Sequence, residues 1–161
     1  MLYRNYADFD AKYGFSQKAK FQLTALQIQD VESFLGMGDS LNTYSVGGGK
    51  TVVSTVVALM RGNRYKLVIV PPVLITPWVK WLKQVTDNVL LYRGTPKERD
   101  KLDISAAQWV VMSHAIYRQE YAKITRALGD NSVELIVDEA HAIKNTASVL
   151  FKKVNMLCQG L

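Results

Sequence analysis

The sequence predicts an α/β fold with a mainly parallel sheet and helices on both faces. Three observations predict it. Short β-branched runs alternate with stretches of helical periodicity five times along the chain. The strand runs are continuously apolar, as strands buried on both faces of a parallel sheet must be. A glycine-rich turn ending in Lys-Thr joins one such strand to a helix, and an acidic pair closes another.

A chain of 161 residues suffices for one packed domain and is short for two. Hydrophobic residues make up 48% and charged residues 21%, which excludes a disordered polyampholyte. The net charge of +6 favours a polyanionic partner such as nucleic acid. The single cysteine, Cys158, lies in an apolar run with Met156 and Leu157, so a buried hydrophobe in a reducing cytoplasm is expected. Met1 to Asp10 contains no apolar leader, and no run reaches the length of a membrane span.

Residues 1–20 carry five aromatics, Tyr3, Tyr6, Phe9, Tyr13 and Phe15, expected to pack over the domain edge as an N-terminal extension. Ile28, Val31 and Leu35 have helical spacing, and Gly36 and Gly38 end that helix. A short strand at Leu41 leads into Tyr44–Thr51. Val52, Val53, Val56, Val57 and Met60 then form a helical stripe. Leu67–Val70 reads as a strand stopped by Pro71-Pro72, and Thr76-Pro77 as the cap and first residue of a helix through Trp78, Trp81, Leu82 and Val85. Val89–Tyr92 is the next strand. Thr95-Pro96-Lys97-Glu98 is a capping box with proline at its first helical position. A strand at Trp109–Met112 precedes a helix whose stripe is Tyr117, Tyr121, Ile124 and Leu128, broken at Gly129-Asp130-Asn131. Leu135–Val137 is the fifth strand, and a last helix is expected from about Thr146 to Leu157.

The chemistry concentrates in two places. In Tyr-Ser-Val-Gly-Gly-Gly-Lys-Thr, Gly47, Gly48 and Gly49 let backbone N–H groups turn around an anion, and the helix N-terminus adds partial positive charge. Lys50 supplies a mobile full charge, and the Thr51 hydroxyl suits Mg2+. Asp138 and Glu139 follow a strand; a carboxylate there can hold Mg2+, and the next can activate the water attacking a γ-phosphate. Together they predict a site for a nucleoside triphosphate and Mg2+ at the carboxyl edge of the sheet.

With His141, residues 138–145 read D-E-A-H-A-I-K-N, which resembles motif II of superfamily-two helicases, in particular the Swi/Snf-type branch of double-stranded DNA translocases. The resemblance extends to Leu23–Gln27, to Val68–Pro71 with Trp78, and to Tyr92-Arg93-Gly94 with Arg99. It implies a RecA-like P-loop NTPase domain over residues 21–161. It also implies that Gln27 reads the adenine edge and that His141 couples the nucleotide site to later motifs. Tyr44, Trp81 and Ser113-His114 depart from the branch's pattern: a small residue, an acid and a Thr-Tyr pair usually stand there.

The function implied is that of the ATP-binding lobe of a helicase or translocase. It would act on double-stranded DNA with Lys50, Asp138 and Glu139 as catalytic residues, once completed by a second lobe that this sequence does not contain. A non-hydrolysing nucleotide- or DNA-binding module that regulates a complete motor or another protein partner is the alternative. Lys80, Lys83, Arg93, Lys97, Arg99 and Lys101 cluster around the loops expected to face DNA, and solvated helix faces explain most of them equally well.

Overall fold

A computed structural model describes residues 3–35, 41–44, 50–129, 131, 133–138 and 154–159, with backbone alone for 41–44, 50, 138 and 154–159. Three helices come first: α1 Tyr6–Tyr13, α2 Phe15–Ala19 and α3 Ala25–Leu35. There follow β1 Leu41–Tyr44, α4 Lys50–Arg61, β2 Tyr65–Val70, α5 Pro72–Val85, β3 Val89–Leu91 and α6 Pro96–Arg99. A 3-10 turn at Ile104–Ala106 leads to β4 Trp109–Ser113, α7 His114–Leu128, β5 Val133–Asp138 and β6 Val154–Gln159.

The six strands form one sheet in the order β1-β6-β5-β2-β4-β3, and every described pairing is parallel. Strand alternation sorts the core into two layers. Val68, Val70, Trp109, Val111 and Ile136 face one side and pack with residues of α1 to α5. Leu67, Ile69, Val110, Met112, Leu135 and Val137 face the other, against Tyr117, Ile124 and Leu128 of α7. Chain direction accounts for the sorting: β1 to β2 and β2 to β3 step one way along the sheet, and β4 to β5 steps back. Crossovers of one hand then place α4 and α5 on one face and α7 on the other.

Several expected elements are as read. Thr95 accepts from Glu98 N while Glu98 bonds back to Thr95 N, a complete capping box. The N-terminal aromatics go further than an edge cover, because Phe9 and Phe15 are fully buried in the same core cluster as Val53 and Trp109. Phe9 stacks on Tyr13 at 5.2 Å, and Phe15 meets the Trp81 ring edge-on at 6.1 Å.

Three expectations are corrected. Residues 154–157, expected to close a helix begun near Thr146, lie instead in β6, and the earlier part of that stretch lies outside the described residues. A short apolar run serves a helix or a doubly buried strand equally, and the open ladder between β1 and β5 selects the strand. The helix expected to start at Thr76-Pro77 starts at Pro72, with Pro71 as its cap and Pro77 inside it. Pro72 takes the first helical position, where a missing N–H costs nothing, while Pro77 leaves only the carbonyl four residues earlier, at exposed Val73, without its helical donor. Tyr121 was expected inward but is 40% exposed. Glu120 has non-helical angles (φ −120°, ψ 18°), which breaks the stripe between Tyr117 and Ile124.

Candidate functional site

The sheet register aligns the two half-motifs. Tyr44, the last residue of β1, and Asp138, the last of β5, are both register partners of Gln159 on β6. Their strand ends are therefore level at the carboxyl edge, separated by the single strand β6 and hence by about 9.5 Å across the sheet. Residues 45–49 lie outside the described residues, and α4 begins at Lys50. The first four N–H groups of that twelve-residue helix have no helical acceptor. The N-terminus of α4, with Lys50 and Thr51, thus follows the end of β1 by a few residues, and Asp138 ends β5 at the same level of the sheet. That donor set suits a phosphate chain with a hard divalent cation: N–H groups and Lys50 for phosphate oxygens, the Thr51 hydroxyl and Asp138 carboxylate for Mg2+. Gly47, Gly48, Gly49, Glu139 and His141 lie outside the described residues.

Gln27 is on the first turn of α3. Its Oε1 accepts from Thr24 N at 2.9 Å, and its own N–H donates to Thr24 Oγ1 at 3.1 Å. This is a capping box, legible in Thr24-Ala-Leu-Gln27 as the S/T-x-x-Q signature. It holds the Gln27 side chain at the helix start, so a base edge would be met by Nε2.

The first turn of α4 is braced from the neighbouring helix. Thr55 Oγ1 donates to the Thr51 carbonyl at 2.8 Å and accepts from Trp81 Nε1 at 2.9 Å. Thr55 is fully buried. The Trp81 ring is half-buried and stacks on Phe21 at 5.9 Å. Nothing in the sequence pattern joins Trp81 to Thr51, since the two helices meet only across a crossover.

The other end of α4 is tied down by charge. Arg61 Nη1 and Glu134 Oε2 pair at 2.9 Å with both side chains almost wholly buried. Arg61 Nη2 donates to the Phe34 carbonyl at 2.8 Å, and Asn63 Nδ2 to Glu134 Oε1 at 2.9 Å. Burial pushes the Glu134 carboxyl up to about 7, with Arg61 and Asn63 pulling it back. Burial likewise lowers Lys66, whose ammonium donates to the Asn63 carbonyl. The signal for this cluster was present as a lone glutamate inside the apolar run Val133–Val137. It joins α3, α4 and β5, the three elements that carry Gln27, Lys50 and Asp138.

Of the basic residues near the other strand ends, Arg93, Lys97 and Lys101 are exposed beyond β3. Arg99 is spent internally. It is 6% exposed, donates to the Gly94 carbonyl at 3.0 Å and lies 2.6 Å from Glu120 Oε2. Ser113 caps α7 by accepting from Ile116 N. A cleft of about 490 Å³ lined by Tyr13, Lys18, Thr86, Asp87, Asn88 and Gln108 sits where β3 and β4 begin, on the edge away from Asp138. Its place in the sheet removes it from the candidate chemistry.

Comparison with known proteins gives two positive findings. Residues 17–159 match the SNF2-related domain family. A SWI2/SNF2 ATPase core from Sulfolobus solfataricus, solved in complex with double-stranded DNA, superposes with a TM-score of 0.67 at 19% identity. That match covers 88% of this chain and 32% of the other, so this chain spans about a third of its length. No curated protein matches the sequence. At this identity the superposition establishes the RecA-like α/β fold.

Proposed function

The chain belongs to the SNF2-related domain family, and we infer that it is the ATP-binding lobe of a DNA-dependent helicase or double-stranded DNA translocase. The observation that carries this reading is the level placement of Tyr44 and Asp138 beside the start of α4. Lys50 and the N–H groups of Gly47, Gly48 and Gly49 hold the phosphates, and Gln27 meets the adenine. Thr51 and Asp138 hold Mg2+, which offsets phosphate charge. Glu139 orients a water and accepts its proton as the water oxygen bonds to the γ-phosphorus. The bond to the bridging oxygen breaks, leaving ADP and inorganic phosphate. His141 couples this site to the neighbouring motif.

Duplex DNA is the partner this family membership favours, and the net charge and the exposed Arg93, Lys97 and Lys101 are compatible with a polyanion. A second lobe would complete the cleft. Arginines supplied from outside such a site are worth about 10³- to 10⁵-fold in rate, so this chain alone should turn over slowly. Among the described residues no helix is long and apolar enough to cross a membrane.

The test is ATP binding and turnover by the chain, with and without duplex DNA and with and without a second lobe, beside Glu139→Gln. Turnover that rises with DNA and is lost in the variant supports the reading. Binding without turnover in every combination identifies a nucleotide-holding regulatory module instead.

A further inference from the structure

We propose that Trp81 is a positioning residue for the nucleotide site: its indole N–H, through Thr55, fixes the first turn of α4 on which Lys50 and Thr51 stand. The proposal rests on the assignment of that turn to phosphate binding. Its basis is one continuous hydrogen-bond path, from Trp81 Nε1–H to Thr55 Oγ1 at 2.9 Å and from Thr55 Oγ1–H to the Thr51 carbonyl at 2.8 Å.

The chemistry makes the path directional. A threonine hydroxyl has one proton, and Trp81 Nε1 can only donate, so the Thr55 proton is committed to the Thr51 carbonyl. A free threonine on a helix divides its time between rotamers, whereas Thr55 is fully buried and held from above. Trp81 is itself held by two rings, with a third behind one of them. Phe21 stacks on it at 5.9 Å and 28°, Phe15 meets it edge-on at 6.1 Å, and Phe9 backs Phe15 at 5.9 Å. Phe9 and Phe15 belong to α1 and α2, outside the strands and loops that bear the site. The N-terminal aromatic residues thereby reach the nucleotide site through one side chain, which gives them a purpose beyond packing.

A second consequence is optical. Trp78 and Trp109 are buried in the core, while Trp81 is half-buried and two hydrogen bonds removed from the turn assigned to the phosphates. Its emission should report nucleotide arrival.

The test uses Trp81→Phe, which keeps a stacking ring and loses the N–H, and Thr55→Val, which keeps shape and loses the hydroxyl. Each is expected to weaken Mg2+-ATP binding about three- to tenfold, and the double variant no more than the weaker single, because both remove the same path. Amide exchange in the nucleotide-free protein should quicken at Ser54 and Thr55 and stay unchanged from Val57 to Met60. That readout needs no activity and separates a local effect from general unfolding. In the unaltered chain nucleotide should change tryptophan emission, and in Trp81→Phe the change should vanish.

Single variants that bind nucleotide as the parent does overturn the proposal, as do additive losses in the double variant or exchange that quickens throughout α4. Failure of the unaltered chain to bind nucleotide overturns the functional reading and this inference together. Binding by the parent with unaltered variants overturns this inference alone.

Discussion

The two ends of α4 carry cations of the same sign and treat them in opposite ways. At the last turn, Arg61 is buried and matched inside the protein by Glu134 and the Phe34 carbonyl. At the first turn, Lys50 opens the helix beside N–H groups that no helical carbonyl can accept, at the edge where β1 and β5 end level. A charge whose partners are all internal is spent on structure. A lysine at a helix N-terminus, among N–H groups without helical acceptors, is suited to a ligand that arrives. The Arg61 cluster therefore serves as the fixed end from which α4 and β5 extend toward the site.

This contrast is open to direct attack, beginning with its strongest element. Glu134→Ala strands the Arg61 guanidinium in the core, which should cost about 3–5 kcal/mol and lower the melting midpoint by roughly 10 °C. Nucleotide affinity per folded molecule should hold, as calorimetry beside thermal melts would check. Lys50→Ala should do the reverse. It is expected to cut ATP turnover of the completed motor on the order of 10²- to 10³-fold while leaving the melting midpoint close to that of the parent. If both substitutions lowered stability alone, the functional distinction between the ends of α4 would collapse.

Acidity probes the buried end more gently. The folded Glu134 carboxyl, at about 7, binds its proton more tightly than the unfolded one near 4.5. The folded state then holds more protons between those values, so this group's contribution to stability falls as pH rises through that window and is level above it. Thermal melts from about pH 5 to about pH 8 should decline accordingly. Glu134→Gln, which keeps the hydrogen bonds without the titration, should flatten the decline. The smallest effect is expected at Thr24→Ala. Loss of one half of the α3 capping box should cost about 1 kcal/mol, seen as a small drop in melting midpoint.

How much of this was legible in the sequence differs by element. The Thr95–Glu98 box and the runs at Leu67–Val70, Trp109–Met112 and Leu135–Val137 are local patterns, and they appear where the residues put them. Residues 154–157 read as helix because their periodicity is neutral between helix and strand. The misreading touched the site itself, since β6 is the strand that sets the gap between Tyr44 and Asp138. Arg99 looked like a DNA-facing cation until Glu120 and the Gly94 carbonyl enclosed it. Pairings across more than twenty residues, Arg61 with Glu134 or Trp81 with Thr55, leave no periodic trace.

Sequence by itself determined the alternation that makes this an α/β domain, the order of its glycine-rich and acidic motifs, and the capping box at Thr95–Glu98. Those features depend on neighbours within a few residues, whose interactions follow from chain connectivity. Tertiary structure alone decided that β6 enters between β1 and β5, that α4 is clamped by a buried ion pair at one end, and that Trp81 braces the other. Each of these depends on which surfaces meet after the chain has crossed the sheet, where burial and hydrogen-bond satisfaction, not local preference, select the partner.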